Sequence, residues 1–104
     1  MNYTRVNYAT IEDKSGLYFL RDALSCTELG VSVIDVKDGR DGFEHDHAED
    51  AEEEVYLLID GSATLTVDGE ALSLEPGDAV RVDPEANRKA DLHGTSLMIV
   101  VGAP

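Results

Sequence analysis

The residues best equipped for chemistry in this chain of 104 residues lie between Gly39 and Gly61, in the run GRDGFEHDHAEDAEEEVYLLIDG. In an extended backbone, residues two apart project to the same side. His45 and His47 therefore project together, with Glu44 and Asp46 on the opposite side. Two imidazoles on one face can share a divalent metal at about 2.0–2.2 Å each. A turn that sends the chain back would bring Glu54 onto that face from the next strand. Two histidines and one carboxylate leave coordination positions open, which suits non-haem Fe(II) and also Mn, Ni, Co or Zn. Spacing alone leaves a second reading open, in which two surface histidines sit on a solvated strand and Glu54 is one more acid in an acidic run. Elsewhere there is no Gly-rich phosphate loop, no G-x-S-x-G elbow and no paired-cysteine motif. Cys26 is the single cysteine, flanked by Ser25 and Thr27, and reads as an ordinary residue of a protein from a reducing compartment.

The elements that must position these side chains read as strands. Gly30–Val36 is rich in β-branched residues and ends at the turn cluster Lys37-Asp38-Gly39. Val55–Ile59 is an apolar run with apolar residues on both faces, predicted to stop at Asp60-Gly61. Ser62–Val67 alternates as a half-buried strand does. Asp68-Gly69 then forms a two-residue hairpin turn into Glu70–Leu74, because the primed turns need positive φ at both positions. Pro76-Gly77-Asp78 turns the chain into Ala79–Val82. His93-Gly94-Thr95 reads as a turn before a last strand over Ser96–Val101, where Met98 fills core space. The one stretch with modest helical periodicity, Leu20–Leu29, contains Ser25, Cys26 and Thr27, all poor helix formers. Six to eight short strands without crossover helices indicate an all-β sandwich or barrel.

The order Gly39, five residues, His45, one residue, His47, then Glu54, six residues and Gly61 resembles the first motif of the cupin superfamily. The six residues between His47 and Glu54 exceed the usual three or four. The likeness spans about residues 30–101 and is strongest to the small, acidic, stand-alone cupins of haloarchaea. It implies an all-β fold, a double-stranded β-helix or jelly-roll barrel. Residues 1–104 would form one domain, with the barrel over about 30–101 and an N-terminal strand or extension over 1–29. It also implies that His45, His47 and Glu54 hold a divalent transition metal at the barrel centre.

The second cupin motif departs from the pattern. Registered on Gly77, the positions for its Pro, Gly and His hold Asp83, Glu85 and Arg88, and its later Asn position holds Leu92. The fourth ligand is missing, and arginine cannot supply it because guanidinium has no free lone pair. His93 is the remaining candidate. Arg88 has two readings: a fork at the barrel mouth for an anionic ligand, or an ion pair with Glu54 that competes with the metal. Tyr56 shares the face of Glu54, and Phe43 that of His45, so both are candidates for the pocket wall. The resemblance implies a small-molecule-binding protein with a metal site, an oxygenase or isomerase acting on a small polar metabolite. Two alternatives stand beside it. One is a metal-free sensor in which Arg88 holds an anionic ligand, and the other a degenerate barrel acting as an interaction partner.

Composition bounds the partners. Twenty-two Asp and Glu face eight Lys and Arg, a net charge of −14. That balance excludes nucleic acid, which needs a basic footprint, and anionic membrane surfaces. Acids spread along the whole chain, with Lys scarce, fit a cytoplasm of high salt, where ions screen the self-repulsion of an acidic shell. The N-terminus has no apolar signal core, and no run approaches 18 apolar residues, so the expectation is a cytoplasmic protein of a halophile. Exposed edges and the two apolar faces of Val55–Ile59 point to a homodimer.

Overall fold

A computed structural model describes residues 2–104. The β-branched and alternating segments become six strands: β1 (Leu17–Phe19), β2 (Gly30–Val36), β3 (Glu53–Val67), β4 (Glu70–Leu74), β5 (Ala79–Val82) and β6 (Arg88–Ala103). One short 3₁₀ turn, Tyr8–Thr10, precedes them. All pairings between these strands are antiparallel. No helix among the described residues is long and apolar enough to cross a membrane.

β3 and β6 are each long enough to serve two sheets. The first half of β3 pairs with β5 and with the second half of β6, which in turn pairs with β2 and through it β1. The second half of β3 pairs with the β4 hairpin and with the first half of β6, whose other edge carries bridges from Arg40 and His45. Strands that pass from one sheet to the next through a bulge make the corners of such a double-sheet barrel. The fold is therefore the jelly roll that the strand pattern predicts. Tyr56, Leu58, Leu65, Val82, Leu92, Met98 and Val100 interleave between the layers, and Leu58, Leu65 and Met98 are wholly buried. Burial of side chains this size contributes about 1.5–3 kcal/mol each, so the strands that carry the site are rigidly backed.

Two local expectations are corrected. Val55–Ile59 does not stop at Asp60-Gly61: β3 runs on, with register shifts at Leu58/Asp60 and Asp60/Ser62. Gly61 has φ +84°, and a Cβ there would collide with Thr95 O and Ser96 Oγ. Likewise His93-Gly94-Thr95 is no turn between strands but lies within β6, opposite that bulge, with Gly94 at φ +59°. Glycine serves bends inside a strand as well as turns between strands, since both need positive φ. Leu20–Leu29, where the poor helix formers argued against a helix, forms turns and bends closed by Leu24 N–H to Leu20 O at 2.9 Å and Cys26 N–H to Arg21 O at 3.0 Å. Ser25, at φ 59°, interrupts any helical path.

Candidate metal centre

The histidine pair is held extended against β6. His45 and Arg88 exchange backbone hydrogen bonds of 3.0 and 2.8 Å, and His47 N–H donates to Pro84 O at 2.8 Å. The six-residue gap that follows closes as a tight turn. Ala51 N–H donates to His47 O at 2.9 Å, and Ala48 N–H to Asp46 Oδ1 at 3.1 Å. The longer gap is thus absorbed locally, and β3 begins in time to turn Glu54 inward.

His45, His47 and Glu54 each offer an atom within 4.8 Å of the others. His47 Nε2 lies 3.4 Å from Glu54 Oε2, and His45 Nε2 lies 4.0 Å from Glu54 Oε1. The rings stand 5.2 Å apart, nearly perpendicular at 83°. His45 Nδ1 lies 3.2 Å from Phe43 O, and His47 Nδ1 lies 3.0 Å from Asp50 Oδ2. Carbonyl and carboxylate oxygens only accept, so each Nδ1 carries the proton. In the neutral imidazole each Nε2 then keeps its lone pair, on the side of the carboxylate. Hydrogen bonding of this kind behind ligand histidines orients them for a metal. The bond from His47 holds the Asp50 carboxyl below the usual carboxylate range.

Glu54 is held from two more sides. Tyr56 donates its hydroxyl to Oε1 at 2.7 Å. Burial, and then the charge of Glu54, push the Tyr56 hydroxyl far above the usual tyrosine range, so it stays a donor. Arg88 is wholly buried, with Nε 3.7 Å from Glu54 Oε1 and Nη2 donating to Asp83 O at 2.9 Å. Its Nε and Nη1 have no hydrogen-bond acceptor. Of the two readings of Arg88, the geometry is that of the ion pair. A guanidinium with no exposed surface cannot offer a fork at the mouth in this arrangement.

The donor set fits a divalent ion. Two imidazole nitrogens and the Glu54 carboxylate converge, His47 on Oε2 and His45 on Oε1, which Tyr56 and Arg88 also engage. What Arg88 withholds is a fourth ligand, and it adds a permanent positive charge beside the third. His93 does not replace it, being exposed and engaged with Thr64 Oγ1 at 2.9 Å. A second group, His47, Asp50 and Glu52, shares His47. There Asp50 orients the imidazole, and Glu52 pairs with Arg21 at 3.6 Å.

The cluster opens onto a pocket of about 130 Å³. Leu17, Ile34 and Val100 form apolar wall, and His45, Glu54 and Tyr56 bring polar groups to it. Phe43 borders it with 72% of its surface exposed, which leaves it at the rim rather than in the packing. Among the lining residues that the sequence reading did not single out is a charged one, Arg40. Nothing in its position after Gly39 distinguishes it from any other charged residue of a loop.

Comparison with known proteins agrees with this architecture. A family model described as the cupin domain matches residues 32–101. None of the curated proteins compared matches the chain. A cupin protein from Bacteroides fragilis superposes with a TM-score of 0.78 at 26% identity, covering 99% of this chain and 85% of that one. An RmlC-like cupin from Shewanella frigidimarina gives 0.78 at 22% identity, with 100% and 92% covered. Streptomyces PAC13, a variant solved with uridine, gives 0.73 at 17% identity, with 100% and 84% covered.

Proposed function

The chain belongs to the cupin domain family, and from that premise we propose that it binds a small molecule in its barrel beside one divalent transition metal held by His45, His47 and Glu54. The observation that carries this reading is the pair of Nδ1 bonds to Phe43 O and Asp50, which leave two lone pairs facing one carboxylate. Surface histidines caught by chance in an acidic run have no need of that common aim. A bound divalent ion would supply Lewis-acid polarisation of a ligand oxygen. The chain's own residues do the rest. Leu17, Ile34 and Val100 keep the pocket apolar, Tyr56 fixes Glu54 through its hydroxyl, and His45 stands at the pocket wall. The reaction class we assign is oxygenation or isomerisation of a small polar metabolite, with Fe, Mn, Ni, Co or Zn as the ion. The neighbour solved with uridine is consistent with a small-molecule pocket in this fold. We also assign a homodimer, because Val55 and Leu57 on the outer face of β3 stay only half-buried and Ile59 is exposed.

A second reading rests on Arg88. Its guanidinium beside Glu54 Oε1 balances the carboxylate without any ion, which would suit a metal-free binding protein. One experiment separates the two. Elemental analysis of protein purified without chelator is compared with a His45→Ala, His47→Ala, Glu54→Ala variant. We expect near-stoichiometric transition metal in the wild type and none in the variant. Wild-type protein that stays metal-free after incubation with Fe(II), Mn(II), Ni(II) and Zn(II) would sink the metal reading and leave the Arg88 pair as the site's own cation.

A further inference from the structure

Three arginines of this chain are not exposed: Arg21, Arg40 and Arg88. Arg21 pairs with Glu52 and donates to Glu28 O and Leu29 O. Arg88 pairs with Glu54 and donates to Asp83 O. Arg40 has no ion pair among the described residues, although acids outnumber bases 22 to 8. Its Nε is buried with no acceptor. Buried polar groups are satisfied in the great majority of cases, and an unmade bond to a charged donor is costly. Its main chain is fixed against β6, with Arg40 N–H donating to Leu92 O and Leu92 N–H to Arg40 O, at 2.9 Å each.

The side chain lines the same pocket as His45, Glu54 and Tyr56. No ion pair joins it to Glu54, whose Oε1 is met by Arg88 and Tyr56. The pocket wall therefore carries one guanidinium without an ion pair among the described residues, in a molecule of net charge −14. Elsewhere the acidic shell repels anions. At Arg40 a carboxylate or phosphate would find the charge-assisted, fork-shaped donor that such groups pair with best. We propose that Arg40 is the anion-recognition residue of the barrel, and that the ligand is a small molecule bearing a carboxylate or a phosphate. This rests on the barrel pocket being the ligand site, and it moves the anion role from Arg88 to Arg40.

The test titrates wild-type protein and the variants below with inorganic phosphate and, separately, with acetate at fixed ionic strength, following the backbone amide resonances of the pocket-lining residues Gly42, His45 and Ala90 by NMR. A saturable shift with either anion is expected, and which anion produces it decides between phosphate and carboxylate. Arg40→Gln should weaken that binding at least tenfold, as loss of a charged hydrogen bond does, with no fall in melting temperature. Arg40→Lys keeps the charge but loses the fork, and it should also bind more weakly should the glutamine variant fail to fold. No saturable shift with either anion, or equal affinity in the variants, would overturn the assignment. Metal content on the same samples keeps the two readings apart. Stoichiometric metal without anion binding defeats Arg40 alone, whereas anion binding at Arg40 in protein that takes up no metal upholds Arg40 and defeats the metal centre.

Discussion

At the scale of single residues, the most consequential departure is a guanidinium where the family's second motif has a histidine. Arg88 has no exposed surface, and it faces a carboxylate whose side chain is 13% exposed. Removing one partner of such a pair leaves the other charge buried without compensation, which typically costs more than the pair itself contributes. Arg88→Met should therefore destabilise the protein by about 3 kcal/mol, read from urea unfolding. Adding Glu54→Gln in the same chain should recover part of that loss, because the carboxylate left behind carries the penalty. Strictly additive effects of the two substitutions would show that the pair is not coupled. The two unpartnered nitrogens of Arg88 sharpen this expectation. Its contacts do not satisfy it fully, so charge rather than hydrogen bonding must account for its place.

At the scale of elements, the barrel depends on two strands that bend without ending. Gly61 in β3 and Gly94 in β6 take positive φ on paired strands, and Ser96 ties the corner. Its hydroxyl accepts from Ser62 N–H at 3.1 Å, with Ser62 O at 3.1 Å and His93 O at 2.6 Å also within its reach. Gly69, in the β3–β4 hairpin, provides an internal control. It has a similar φ of +82° but nothing within 4 Å of an added Cβ, whereas at Gly61 the new atom meets Thr95 O and Ser96 Oγ. Gly69→Ala should cost about 1–2 kcal/mol, the backbone penalty alone. Gly61→Ala should cost clearly more, in the same thermal or urea measurement. Equal losses would mean that the corner can shift to admit a methyl group, and that β3 is not pinned there.

At the scale of the whole molecule, charge dominates. With a net charge of −14 on 104 residues, self-repulsion opposes the compact state, and molar salt shrinks its range to about 3 Å. Ion pairs relieve little of it. Arg81 gathers Glu53 and Asp83 at 2.7 and 2.6 Å, but all three side chains are more than half exposed, where such pairs are worth at most about 1 kcal/mol. The melting temperature should rise by several degrees between dilute buffer and molar KCl, and an unchanged value would show that the acidic shell carries no salt dependence. Light scattering across the same series tests the homodimer, for which twice the monomer mass is expected. A monomer at every salt concentration would leave Val55, Leu57 and Ile59 as an uncovered apolar face.

How much of this was legible beforehand follows from the range of each interaction. The alternation of Ser62–Val67, the Asp68-Gly69 hairpin and the shared aim of His45 and His47 are local, set by the two-residue period of an extended chain and by φ at single positions. The sequence by itself therefore determined the all-β class, most strands and the three converging ligand candidates. It could not distinguish a glycine that ends a strand from one that bends it, because both need the same backbone angle. The division of β3 and β6 into shorter strands was misread for that reason. The fate of the arginines was also beyond its reach. Only the folded barrel decided that Arg88 is sealed against Glu54 while Arg40 lines the pocket without an ion pair among the described residues, since burial and pairing depend on neighbours distant in the chain.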